Sequence, residues 1–171
     1  MKKLVLFACV YLLVTGLNSF AQEYKSKRVS PPAKVTETTT LGTTITIDYS
    51  QPSVKGRTIG KEIAPYGQVW RTGANEATVF EVNKDVKIED KVLPAGKYSL
   101  YTIPGEKEWT IMFNKTWDQW GTDYKEADDA LWITVKPEKS PSFTERMTFN
   151  IAKSGLVSLM WGDHQVNFNV K

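Results

Sequence analysis

The chain predicts an all-β protein, an antiparallel two-sheet sandwich of jelly-roll-like character with about nine to ten strands and minimal helix. Three observations carry this. Apolar residues recur with period two in many short runs, as in Ile45, Ile47 and Tyr49 against Thr44, Thr46 and Asp48. The runs are closed by turn chemistry, with no helix between them long enough for a parallel crossover. A single open sheet of that many strands would leave one face unburied, so two layers are expected.

The first element is a leader. Lys2-Lys3, the apolar run Leu4 to Val14 and the small residues Ser19 and Ala21 read as the n-region, h-region and cleavage site of a secretory signal, cut after Ala21. The run is shorter than the roughly 18 apolar residues of a spanning helix, and no other stretch approaches that length, so no membrane span is expected. Cys9 does not mark a lipoprotein, because Phe7 is too bulky for that box and the h-region continues beyond it. It is the only cysteine and leaves with the leader, so neither a disulfide nor a thiolate metal site is predicted. Lys2 and Lys3 leave too, and 20 basic residues then face 19 acidic ones. Basic residues are scattered and not striped with aromatics, which argues against nucleic acid as a partner. The expected destination is the periplasm or the outside of the cell.

Residues 22–33 are polar, end in Ser30-Pro31-Pro32-Ala33, and read as an extended lead-in. Residues 34–171 fit one domain. After the Ile45 set come Tyr98/Leu100, Trp109/Ile111/Phe113, Leu131/Ile133/Val135, Met147/Phe149/Ile151, Val157/Leu159/Trp161 and Val166/Phe168/Val170. Asp90-Lys91, Pro104-Gly105 and Lys153-Ser154-Gly155 mark turns, and Gly162-Asp163 has the composition of a hairpin turn with glycine first. Short helical turns are expected near Gly60–Ile63 and Tyr124–Asp129. Trp109 and Trp161 lie on apolar faces and belong to the core, whereas Trp132 is out of phase with its neighbours and should face outward.

Two segments break the alternation, Gln51 to Ala77 and Asn114 to Asp129. Loops of this length with aromatic content are candidate sites. Along the first and its flanks run Tyr49-Ser50-Gln51-Pro52-Ser53-Val54-Lys55-Gly56-Arg57 and Pro65-Tyr66-Gly67-Gln68-Val69-Trp70-Arg71-Thr72-Gly73-Ala74-Asn75-Glu76-Ala77-Thr78. With Leu93 to Leu100, Ile103-Pro104-Gly105 and Trp109-Thr110, the chain resembles, from about Pro31 to its end, a family of exported bacterial proteins defined by domain of unknown function 2911. The resemblance implies an all-β exported protein and assigns no ligand or catalytic residue. Members typically carry arginine where Gln51 stands here.

Tests for chemistry mostly fail. His164 is the only histidine, which excludes multi-histidine zinc sites. No G-x-S-x-G elbow accompanies it, so an Asp163-His164 pair on a turn reads as solvated. Gly56-Arg57-Thr58-Ile59-Gly60-Lys61-Glu62 has three residues between its glycines, and Glu62 where a phosphate loop needs Ser or Thr. No dinucleotide fingerprint occurs, and no cofactor is predicted. The acidic residues Asp118, Asp123, Glu126, Asp128 and Asp129 match no calcium-loop spacing. Asn114-Lys115-Thr116 is formally a glycosylation sequon, but it follows a strand closely.

The most informative stretch is Tyr66 to Glu76. Trp70 offers a stacking face, Arg71 a forked donor, Asn75 an amide and Glu76 an acceptor, with Arg57 and Tyr66 in the same loop and Trp117 and Trp120 as an exposed pair in the other. These eight residues form the predicted site. The sequence reads best as a non-enzymatic binding or accessory domain for a glycan-like or small polar ligand. The alternatives are a protein-interaction module of an envelope assembly and an envelope hydrolase, the latter requiring two of Glu76, Asp118, Asp123 and His164 to converge. A purely structural reading has Trp70 plugging the sandwich and Arg71 paired with Glu76.

Overall fold

A computed structural model describes residues 27–171. The leader at residues 1–21, its cut, and the start of the lead-in lie outside the described residues.

The architecture is two facing layers of antiparallel strands. One layer runs β1 (Pro32–Thr38), β2 (Thr44–Ser50), β3 (Thr78–Val82), β6 (Gly96–Ile103), β7 (Trp109–Asn114), β8 (Asp129–Val135). The other combines a long hairpin, β9 (Pro137–Ile151) with β10 (Leu156–Asn169), and a short one, β4 (Val86–Ile88) with β5 (Lys91–Leu93). Backbone bonds between Lys87 and Lys171 and an Ile88–Val170 bridge attach β4 to the end of β10. A Ser53–Arg146 bridge adds the start of the first long loop to the free side of β9. Helix among the described residues is one 3-10 turn, Glu126–Asp128, within the predicted turn region.

Period two explains the layers. Ile45, Ile47 and Tyr49 of β2 are buried, and in register Ile47 sits between Val35 of β1 and Phe80 of β3. They face Met147, Phe149, Val157, Leu159 and Phe168 from the other layer in one continuous core. Burying a side chain of this size stabilises by about 1.5–3 kcal/mol relative to leaving it exposed. Tyr49 ties the layers together, its ring edge-on to Phe149 at 5.0 Å and its hydroxyl accepting the Phe149 amide at 3.1 Å. Trp109 and Trp161 are core, and Trp132 is exposed with its indole donating to Asp129, as their phases predict.

The glycine-first turn expected at Gly162-Asp163 is not there. β10 runs through it against the same partner strand, so the chain does not reverse. The ladder is irregular instead: Met160, Gly162 and His164 oppose Thr148, Thr144 and Lys139, so β9 carries the surplus residues. Gly162 has φ +58, and a Cβ there would come within 2.9 Å of Ile59 Cδ1. A glycine suited to a hairpin turn is equally suited to an irregular point in a ladder, and across this stretch the inward face of β10 passes from Val157, Leu159 and Trp161 to Val166 and Phe168 without ending the strand. Asp90 does close a hairpin, as one of two turn residues, Glu89 (φ 45) and Asp90 (φ 68).

The outward face of the six-stranded layer is only partly open. Over β6 and β7 it is covered by the 114–129 loop, which buries Ala77, Tyr101 and Met112 in a second small cluster. Over β1, β2 and β3 it stays polar. The boundary between the covered and open halves is where the first candidate cleft lies.

Candidate functional site

The eight predicted residues do not form one site. Glu76, Trp117 and Trp120 line one cleft, Arg57, Trp70 and Arg71 line another, and Tyr66 and Asn75 hold structure.

The first cleft, of about 510 Å³, has the open face of β1, β2, β3 and β6 as its floor and the 117–120 segment as its wall. The wall is fixed from both ends. Ala77 N–H donates to Gln119 O and Gly121 N–H to Asn75 O, both at 3.1 Å. Buried Asn114 donates to Lys125 O and Asp129 Oδ1 and accepts the Thr116 amide. Its side chain is thereby consumed in holding the loop, which rules out the sequon as a modification site of the folded protein. Gln119 reaches down to Tyr101 Oη at 3.1 Å, and burial with the nearby Asp123 pushes that phenol up to about 12. Trp117 and Trp120 stand on this anchored loop 39% and 46% exposed. The floor is charged but paired: Arg28 to Glu76 at 2.6 Å, Lys34 to Asp48 at 3.3 Å, Lys97 to Glu81 at 3.6 Å. Lys97 also lies 4.9 Å from the Trp117 ring. Such exposed pairs contribute little to stability. Their effect is to present donors and acceptors at small net charge.

Glu76 is thus paired with Arg28 from the lead-in and not with Arg71. Of the four groups from which a hydrolase would need two, Glu76 and Asp118 converge on this cleft, while Asp123 and His164 lie outside it.

The second cleft, of about 630 Å³, is lined by Arg57, Trp70, Arg71, Lys55, Trp161 and neighbouring residues. Trp70 exchanges both backbone bonds with Thr102, at 2.7 and 2.9 Å, and so continues the sheet beyond β3. Its ring stacks on Trp161 at 5.0 Å and 9° and meets Trp109 edge-on at 6.4 Å. Trp70 therefore does close one end of the sandwich, while remaining partly exposed. Arg57 donates from Nε to Val54 O and from Nη2 to Ser53 O. Arg71 packs its stem on Gly121, where a Cβ would come within 2.4 Å of its Cδ.

Asn75, in left-handed backbone at φ 62, donates to Ser30 O at 3.2 Å and pins the lead-in. Tyr66 lies over Gly60, where a Cβ would come within 2.3 Å of its ring, and its hydroxyl meets His164 Nε2 at 3.4 Å. His164 is half-buried beside Trp109, not on a solvated turn. Burial pushes its imidazole below the ordinary 6.5, against a smaller upward pull from Asp163. Protonation therefore favours the unfolded chain. The contribution of the neutral ring is complete above about pH 6.5 and is lost as pH falls from there toward the lower folded value. We expect the thermal midpoint to decline below about pH 6.5 in the wild type and to decline less in His164→Gln, measured by circular dichroism across that range.

Among the described residues no three His, Cys, Asp or Glu side chains gather closely enough to hold a metal ion, and no helix is long and apolar enough to cross a membrane. The sequence reading missed Arg28, Lys34, Asp48, Glu81 and Lys97 in the first cleft and Lys55 in the second. The polar positions of β2 were visible as the wet face of a strand, but nothing local showed that a loop 70 residues on would wall them in.

Neither the comparison with curated proteins nor that with solved structures finds a match. The family described as "Protein of unknown function (DUF2911)" matches residues 30–170, which take in every described strand and both clefts apart from Arg28 and Val29, and the chain belongs to it.

Proposed function

We propose that this is an exported, non-enzymatic binding domain whose first cleft takes a glycan-like polar ligand. The observation that supports this best is the pair of exposed indoles, Trp117 and Trp120, on an anchored loop above a floor of mutually paired charges. Indole faces pack on the C–H faces of sugar rings, and paired carboxylates and ammoniums hydrogen-bond hydroxyls while selecting against net charge. Glu76 is engaged by Arg28, which favours binding over acid catalysis. Export rests on the leader at residues 1–21.

The test is titration with neutral envelope and cell-wall oligosaccharides, read by tryptophan fluorescence and calorimetry. We expect Trp120→Ala to weaken binding roughly tenfold, about 1.4 kcal/mol, with the thermal midpoint unchanged, and Trp132→Ala, outside the cleft, to bind as wild type. Absence of saturable binding across the panel, or full binding by Trp117→Ala and Trp120→Ala alike, would falsify the proposal.

A further inference from the structure

The two clefts differ in charge. Lys55, Arg57 and Arg71 line the second, and among the described residues no carboxylate does. Two carboxylates of the adjoining chain, Glu62 and Glu145, are engaged by the backbone amides of Thr58 and Lys55. Arg57 uses Nε and Nη2 on backbone carbonyls, which fixes the guanidinium and leaves Nη1 for another acceptor. Arg71 is half-buried, yet its guanidinium has no hydrogen bond or ion pair among the described residues. The Arg71 nitrogens are not buried, so its five donors face solvent and are open to carboxylate, phosphate or carbonyl oxygens.

Two further features gather at the same place. Trp161, 3% exposed, lines the cleft behind Trp70, and its indole N–H has no acceptor. Lys55 (φ 49) and Ala64 (φ 46) line the cleft in left-handed backbone, and Thr72 (φ 49) and Asn75 (φ 62) flank its wall residues Gly73 and Ala74. Outside the Glu89-Asp90 hairpin turn, each described non-glycine residue of this kind either lines this cleft or adjoins a residue that does. Lys55 sits with Gly56 in a turn closed by Arg57 N–H to Val54 O, and the remaining three lie in bends, where sparsely populated backbone is often held at ligand sites.

We propose that the second cleft binds an organic anion, its carboxylate held by Arg57 and Arg71 with Lys55 adding charge, and its flat or apolar body against Trp70. The cleft is far larger than an inorganic ion needs, and the indole wall would be wasted on one. A carboxylate beside an apolar body could be a free aromatic acid or the C-terminus of a peptide, and the probes separate the two.

The experiment titrates the purified protein with benzoate, with phenylacetate, and with a short peptide ending in phenylalanine as free acid or as amide. Tryptophan fluorescence and thermal shift are the readouts. Saturable binding of the acids and no binding of the amide is expected, weakening with salt, and at least roughly tenfold weaker in Arg57→Gln and in Arg71→Gln. Tighter binding of the peptide acid than of benzoate and phenylacetate identifies a chain terminus as the ligand, and the reverse a free acid. Lys55→Gln, at an exposed side chain whose loss leaves the fold intact, is a second variant in case the arginine changes disturb folding, and should also weaken binding. Trp120→Ala should leave it unchanged, which separates this cleft from the first. Equal binding of acid and amide, affinity untouched by Lys55→Gln and both arginine changes, or no saturable response to any carboxylate at millimolar concentration overturns the proposal.

Discussion

Trp109→Ala should lower the unfolding free energy by about 3–5 kcal/mol, as large aromatic-to-alanine changes in packed cores do. For a domain of this size the thermal midpoint then falls by roughly 10–15 °C. Trp109 is 1% exposed, meets Trp70 edge-on and lies beside His164, so its removal opens a void where the second cleft's wall joins the core. Trp109→Phe is the informative partner. The Trp109 indole N–H is buried without an acceptor, so phenylalanine gives up packing but also removes an unsatisfied donor, and the loss should be near 1 kcal/mol. Urea unfolding of both variants checks this, and equal losses would show that the N–H is satisfied in solution.

Gly155→Ala should cost about 3 kcal/mol or more, although it adds a single methyl group. Gly155 has φ +91, and a Cβ would stand 2.0 Å from Val170 O, a contact that only backbone movement can relieve. Val170 N–H donates to Gly155 O, Val170 bridges Ile88, and Lys171 exchanges backbone bonds with Lys87. Displacing Val170 therefore loosens the β4–β5 hairpin from the second layer. Hydrogen exchange should show residues 86–93 losing protection before the six-stranded layer does. Gly56→Ala is the control: φ is +70 and no atom lies within 4 Å, so it costs only the backbone strain, about 1 kcal/mol. Equal losses at the two glycines would sink the steric explanation.

The strands were legible because one residue in two faces water along β2 and β8, and that contrast is local. β6 and β7 were harder to read. Ser99, Leu100, Tyr101 and Thr102 are buried in succession, since the 114–129 loop covers their outer face and erases the alternation. The irregularity at Gly162 was misread for a similar reason: a hairpin turn and an irregular ladder can use the same left-handed glycine, and only the identity of the partner strand distinguishes them. Both long loops were legible as breaks in the alternation, and Trp117 and Trp120 were correctly placed at the surface. Grouping Glu76 with Trp70 and Arg71 failed because the chain bends between them, with Thr72 (φ 49) and Asn75 (φ 62) in left-handed backbone, and carries Glu76 to the other cleft. Trp70 turns to the core indoles while Arg71 packs on Gly121. The true partner of Glu76, Arg28, lies in a lead-in that shows no periodicity at all.

That lead-in has a practical consequence. Arg28 lines one cleft, Val29 and Ser30 line the other, and strand pairing begins only at Pro32. Proteolytic trimming up to Ser30 would strip a wall from each cleft while leaving every strand paired and the core unopened. A purified sample could then melt like the intact protein and bind nothing, so the mass of the N-terminal peptide, more than the melting curve, certifies a preparation as competent.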